Sequence, residues 1–116
     1  MKCGDIKKKI EHATVALATV TKKGEPHNVI LEVNSIKEGK VVITDNYMKT
    51  TAENIKNNPC VQLVFWEGGH GWRVCGKAKY YDSGKWLKYV KSLKENKEHP
   101  SKGAVVIDIG YICQLG

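Results

Sequence analysis

Residues 41–66, VVITDNYMKTTAENIKNNPCVQLVFW, constrain the fold more than any other stretch. An apolar strand runs into T-D-N-Y, a short helix opens on M-K-T-T, and a second apolar strand begins at Pro59. The helix ends before Pro59 because the residue ahead of a proline is pushed out of the α region. One helix therefore carries the chain between two strands. Hydroxyls, an amide and a lysine gather where strand 41–45 meets the N-terminus of helix 48–57. Free N–H groups and the positive end of the helix dipole favour an anion at such a place. A phosphate would find donors in Thr50, Thr51 and the backbone, and a countercharge in Lys49. An N-capped helix with one surface lysine accounts for the same residues. Neither G-x-x-x-x-G-K-[ST] nor G-x-G-x-x-G occurs in the chain.

A chain of 116 residues suits a single domain, 1–116, with a real core. No run approaches the length of a transmembrane helix, and MKCGDIKKKIEH lacks the apolar segment of a signal peptide. A cytoplasmic protein without a membrane partner is expected. The four cysteines, Cys3, Cys60, Cys75 and Cys113, form no C-x-x-C pair and no metal-ligand spacing. Free thiols in a reducing compartment fit that scatter, and no metal site is expected. The formal net charge is +7, yet Arg73 is the only arginine among nineteen basic residues. Base reading and bidentate phosphate clamping favour arginine, so nucleic acid is not the expected partner. The lysines spread over helices and turns as a solvated surface that attracts anions.

The remainder reads as β structure with peripheral helices. Residues 5–12 have the spacing of a short amphipathic helix, with Ile6 and Ile10 on one face. Residues 13–21 form a buried strand, and the turn K-K-G-E-P leads to a second strand over 27–36. There Val29, Leu31 and Val33 face one way and Asn28, Glu32 and Asn34 the other, where they are free to be solvated. Strands follow at 41–45, 60–66, 72–81 and 104–115. In the fifth strand, 72–81, Trp72, Val74, Ala78 and Tyr80 share a face opposite Arg73, Lys77 and Lys79. Residues 84–95 form a helix with Trp86, Val90 and Leu93 aligned. The polar run NKEHPSK is the expected mobile loop. Six strands joined by hairpin turns, two flanking helices and a crossover helix predict a mainly β, closed Greek-key barrel, with an open sandwich as the alternative.

The succession of an apolar strand, G-x-P, a second strand, x-T-x-N-Y-x-K-x-x-x-x-x-I-x-x-N-P, another apolar strand and W-R-V-x-G resembles the FMN-binding split β-barrels. That group includes pyridoxamine 5′-phosphate oxidases, small FMN-binding proteins and flavin-linked reductases. The resemblance runs from about Ile6 to Leu115. It implies a six-stranded split β-barrel with two to three flanking helices, and FMN as cofactor, with F420 or haem as alternatives. Thr44-Asp45-Asn46-Tyr47-Met48-Lys49-Thr50-Thr51 is similar to the family's phosphate-binding stretch. It implies Lys49, Thr50 and Thr51 as phosphate ligands, and Thr44 and Asp45 where the ribityl chain or ring passes. The strand after Pro26 is similar to the one that lines the flavin ring, which implies Asn28, Val29, Ile30 and Leu31 there. Relatives bind flavin at a homodimer interface, so Trp66, His70, Gly71 and Trp72 are candidates for a contribution across it. The resemblance also implies an approach of the C-terminal strand, with Tyr111, Cys113 and Gln114, to the ring.

Simpler roles remain open for several of these residues. His70 also suits an exposed loop, Trp66 and Trp72 suit packing, and Cys113 suits a small buried hydrophobe. The basic residues and longer C-terminal region of the pyridoxamine phosphate oxidases have no counterpart here, so oxidation of pyridoxamine phosphate is not expected. The chain looks closer to the small FMN-binding proteins, whose K-T-x-x-N-V segment resembles Lys49 to Ile55. No Ser-His-Asp set or paired carboxylates support a protein-only mechanism, so any chemistry belongs to the cofactor. Three functions are compatible with this reading. One is a flavin oxidoreductase acting on a small molecule. Another is an electron-transfer protein whose lysine surface meets an acidic redox partner. The third is a module that binds FMN, F420 or haem without turnover.

Overall fold

A computed structural model describes residues 3–115; the free thiol expected at Cys3 lies outside the described side chains. Helix α1 (Cys3–Ile10) is followed by β1 (Thr14–Val20), β2 (Pro26–Glu32), β3 (Ser35–Lys37) and β4 (Lys40–Asp45). Helix α2 (Thr50–Asn57) crosses to β5 (Cys60–Glu67), which turns into β6 (His70–Tyr81). Helix α3 (Gly84–Ser92), a 3-10 turn (Lys94–Asn96) and β7 (Gly103–Leu115) complete the chain.

The strands form one seven-stranded antiparallel sheet in the order β2-β1-β5-β6-β7-β4-β3. Only Val33 and Asn34 separate β2 from β3 in the chain, yet these two strands are opposite edges of the sheet. The expected strand 27–36 is therefore shared between two neighbours: its first half pairs with β1 and its second with β4. The junction is hydrogen-bonded to both sides. His12 N–H donates to Val33 O at 2.8 Å, Val33 N–H to Ala13 O at 3.0 Å, and Asn34 N–H to Val42 O at 3.0 Å. The sheet closes on itself through this segment as a split barrel. The seventh strand, one more than expected, is a consequence of that division.

Alternation places one face of each strand inside. Leu17, Ile43, Leu63, Val74 and Ile107 are sealed in the barrel, and Ile6 and Ile10 of α1 join them. Trp86 and Val90 of α3 pack instead on Val42, Ala104 and Val106, covering the outer face of β4 and β7. Burying two such side chains contributes about 1.5–3 kcal/mol each. That cover explains why β4 is buried on both faces. The run 96–102, expected to be a mobile loop, is instead bonded to the end of β4. Lys102 N–H donates to Asp45 O at 2.8 Å, and Ser101 N–H to the Asn46 side-chain oxygen at 2.9 Å.

Candidate functional site

A cavity of about 510 Å³ opens beside the outer edge of β2, between the 44–51 segment and the 95–99 turn. Consecutive residues of β2, Val29 to Glu32, all border it. A strand whose neighbours alternate in and out can do this only by presenting its edge rather than a face. As a terminal strand, β2 pairs with β1 alone, so its far row of N–H and C=O groups has no strand partner. A flat heteroaromatic ligand with alternating donors and acceptors on one rim suits such an edge.

The floor is a buried polar network. Thr44 donates to the Asn34 side-chain oxygen twice, from its N–H at 2.8 Å and its hydroxyl at 2.7 Å. The Asn96 amide donates to Thr44 Oγ1 at 2.8 Å and to Val90 O at 2.7 Å. With two donors on its oxygen, the Asn34 amide is oriented, and its Nδ2 is left to donate to Glu95 Oε2 at 3.0 Å. Burial pushes the Glu95 carboxyl up, but the Asn34 bond, a backbone N–H and the nearby His12 outweigh this and hold it below its ordinary value. His12 itself lies 3.6 Å from Glu32. Asn34, expected to be solvated, is buried for this reason.

The start of α2 also lines the cavity. Lys49 occupies the N-cap position, and no side chain among the described residues caps the helix. Its first N–H groups are therefore available to a ligand. Lys49 and Thr50 are exposed, whereas Thr51 is buried, and all three line the cavity. Tyr47 stands at the rim, 73% exposed, with its hydroxyl 3.2 Å from His99 Nδ1. Asp45 holds this segment from behind. One carboxylate oxygen accepts from Met48 N–H at 2.7 Å, and the other accepts from the Tyr80 hydroxyl at 2.5 Å. Burial, the bond to Asp45 and that carboxylate's charge all push the Tyr80 phenol above its ordinary range.

The cavity thus brings together Val29, Ile30, Leu31, Thr44, Lys49, Thr50 and Thr51 of the expected residues. Asp45 lies behind its wall. Asn28 points outward on β2, in register with Ala18. Trp66, His70, Gly71 and Trp72 do not line it. Trp66 is exposed; His70 Nδ1 accepts from the Gln114 side-chain amide at 3.0 Å; Trp72 is buried and donates to Glu67 O at 3.3 Å. Glu95, Asn96 and His99 were missed because they lie in a polar run with no local pattern. His27, Asn34, Tyr47 and Met48 also border the cavity.

A family model described as pyridoxamine 5′-phosphate oxidase matches residues 5–115. The chain belongs to this family. It is 35% identical to the uncharacterized protein MJ0282 of Methanocaldococcus jannaschii, over 93% of this chain and 76% of that protein. Among solved structures, Group A Streptococcus HupZ superposes with a TM-score of 0.86 at 21% identity, covering 99% of this chain and 94% of that one. An FMN-binding protein from Syntrophomonas wolfei gives 0.73 at 17% identity, with 99% and 84% covered. An F420 reductase gives 0.71 at 18%, with 90% and 91% covered. At these identities the structural matches establish the split-barrel fold of the family. No helix among the described residues is long and apolar enough to cross a membrane.

Proposed function

We propose that this member of the pyridoxamine 5′-phosphate oxidase family binds FMN in the cavity beside β2 and works as a flavin-linked oxidoreductase or electron carrier. The observation that carries the reading is the polarity of that cavity. The same cavity is lined by the uncapped start of α2 with Lys49, Thr50 and Thr51 and by the carboxylates of Glu32 and Glu95. A ligand with a phosphate at one end and a flat ring at the other enters one way round. Its phosphate goes to α2. Its ring goes against the unpaired edge of β2, with the apolar Val29 and Leu31 beside it. The volume falls within the ~300–1,000 Å³ range of small-molecule sites. When bound, FMN supplies reversible electron or hydride transfer; the protein's residues hold the phosphate, orient the ring and exclude water from one side of it.

A second copy of the chain is the proposed partner. Four of the five large exposed hydrophobic side chains among the described residues, Ile30, Val64, Trp66 and Tyr111, lie on the outward face of β2, β5 and β7. The pairing register aligns Ile30, Ala16, Val64, Arg73 and Cys113 across that face. At its centre, Arg73 Nε is buried without an acceptor among the described residues. A two-fold dimer would cover the apolar surface and satisfy that donor. Ile30 belongs both to this face and to the cavity wall, so the partner would border the flavin. Oxidation of pyridoxamine phosphate fits poorly. A second phosphate would need further fixed cations, whereas the cavity offers Glu32 and Glu95, and Arg73 lies on the outer face. The unpaired thiols of Cys60, Cys75 and Cys113 suit a reducing compartment such as the cytoplasm.

The test is the absorption spectrum of the purified protein, with identification of the released chromophore. Bound FMN supports the reading. A deazaflavin keeps the site and changes the cofactor. A Soret band with an imidazole ligand from His27 or His99 replaces the flavin reading with a haem one.

A further inference from the structure

Glu95 lies on the wall of the proposed flavin cavity, and nothing in phosphate binding or ring packing employs it. Its position is not left to chance. The two bonds from Thr44 orient the Asn34 amide, and the Asn34 Nδ2 then holds Glu95 Oε2 at 3.0 Å. Asn34 and Thr44 are both buried, so this support is rigid. The charges around it are Glu32, on the same cavity wall, and His12, which sits 3.6 Å from Glu32 and near Glu95. Within the cavity lining the one basic side chain other than histidine is Lys49, at the α2 end. The lining also holds the imidazoles of His27 and His99, and its carboxylates are those of Glu32 and Glu95.

A ring that fills a cavity of about 510 Å³ lies within a Debye length, about 8 Å at physiological salt, of charges on its wall. An oxidised flavin ring is neutral. On taking up two electrons it binds either two protons, staying neutral, or one, becoming an anion. A fixed negative charge opposes the anion and leaves the oxidised ring untouched.

We propose that Glu95, positioned by Asn34, sets the redox character of the bound flavin: it disfavours the anionic reduced ring, lowers the reduction potential and makes the flavin a stronger electron donor. The inference rests on the proposed FMN site, and the experiment separates the two. FMN-loaded protein is titrated with dithionite, which supplies the electrons, against a reference dye, and potentials are compared for the native chain, Glu95→Gln and Glu95→Asp. Gln keeps the Asn34 bond and removes the charge. It is expected to shift the ratio of affinities for oxidised and reduced flavin by about fivefold, a rise of ~20 mV for a two-electron couple. Glu95→Asp, which keeps the charge, stays near the native value. The native protein is also reduced at pH 8, where the spectrum should be that of the neutral reduced ring. An unchanged potential in Glu95→Gln with FMN still bound overturns the inference and leaves the flavin site standing. An anionic spectrum in the native protein overturns it as well, even if the variants fail to fold. A native protein that binds no flavin overturns both.

Discussion

Replacing Lys49 and Thr50 together with alanine separates phosphate binding from ring binding. Both side chains are exposed at the start of α2, so removing them disturbs no core contact. Hydrogen bonds to a charged group are worth about 1.5–3 kcal/mol, and solvent exposure puts each of these at the lower end. Two such bonds amount to about 3 kcal/mol, or roughly a 100-fold weaker Kd for FMN. The backbone N–H groups of α2 and the buried Thr51 survive the substitution, so binding weakens without disappearing. Riboflavin has no phosphate, and its Kd should change by less than about threefold, since a shift of that size is under 1 kcal/mol. Titration of flavin fluorescence with both ligands measures the two constants on the same protein. Equal losses for FMN and riboflavin would place the phosphate elsewhere and refute the orientation assigned to the cavity.

The proposed dimer should dissociate when a charge enters its face: Val64→Glu is expected to give a monomer by light scattering at micromolar concentration, and a monomeric native protein would remove the proposed interface. Gly76→Ala should lower stability by about 2–4 kcal/mol in urea unfolding, because a Cβ there collides with the backbone oxygen of Asp108 at the irregular β6–β7 pairing; native-like stability would mean the strands part easily. The Tyr80 phenol keeps its proton in the folded state at pH values where the unfolded chain has lost it, so stability is full below the ordinary tyrosine value of 10.0 and falls as pH rises beyond it. Unfolding midpoints from pH 8 to 11 should show that fall in the native protein and much less of it in Tyr80→Phe; identical profiles would contradict the bond to Asp45. The FMN-loaded protein should form no measurable pyridoxal 5′-phosphate from pyridoxamine 5′-phosphate in air, and robust product would show that the carboxylate-lined cavity tolerates a second phosphate.

Much of the fold was legible because its signals are local. The apolar runs at 41–45 and 60–66 are strands β4 and β5, and Pro59 limits α2 where the chain predicted. The alternation in 72–81 put Trp72, Val74 and Ala78 inside and Arg73 outside. The α2 end of the cavity was legible for the same reason, since residues 44–51 are contiguous and their backbone geometry brings them together. What the sequence could not reveal depends on partners distant in the chain. Residues 27–36 look like one strand, and only pairing with β1 on one side and β4 on the other divides it and closes the barrel. Asn34 looks like a solvated amide, and residues 96–102 look like a loose loop. Asn34 meets Thr44 ten positions away and Glu95 sixty-one positions away, and Asn96 meets Thr44 across fifty-two. A polar side chain carries no periodic mark of burial; it becomes buried when closure of the barrel supplies its donors and acceptors, and that closure is a property of the whole sheet.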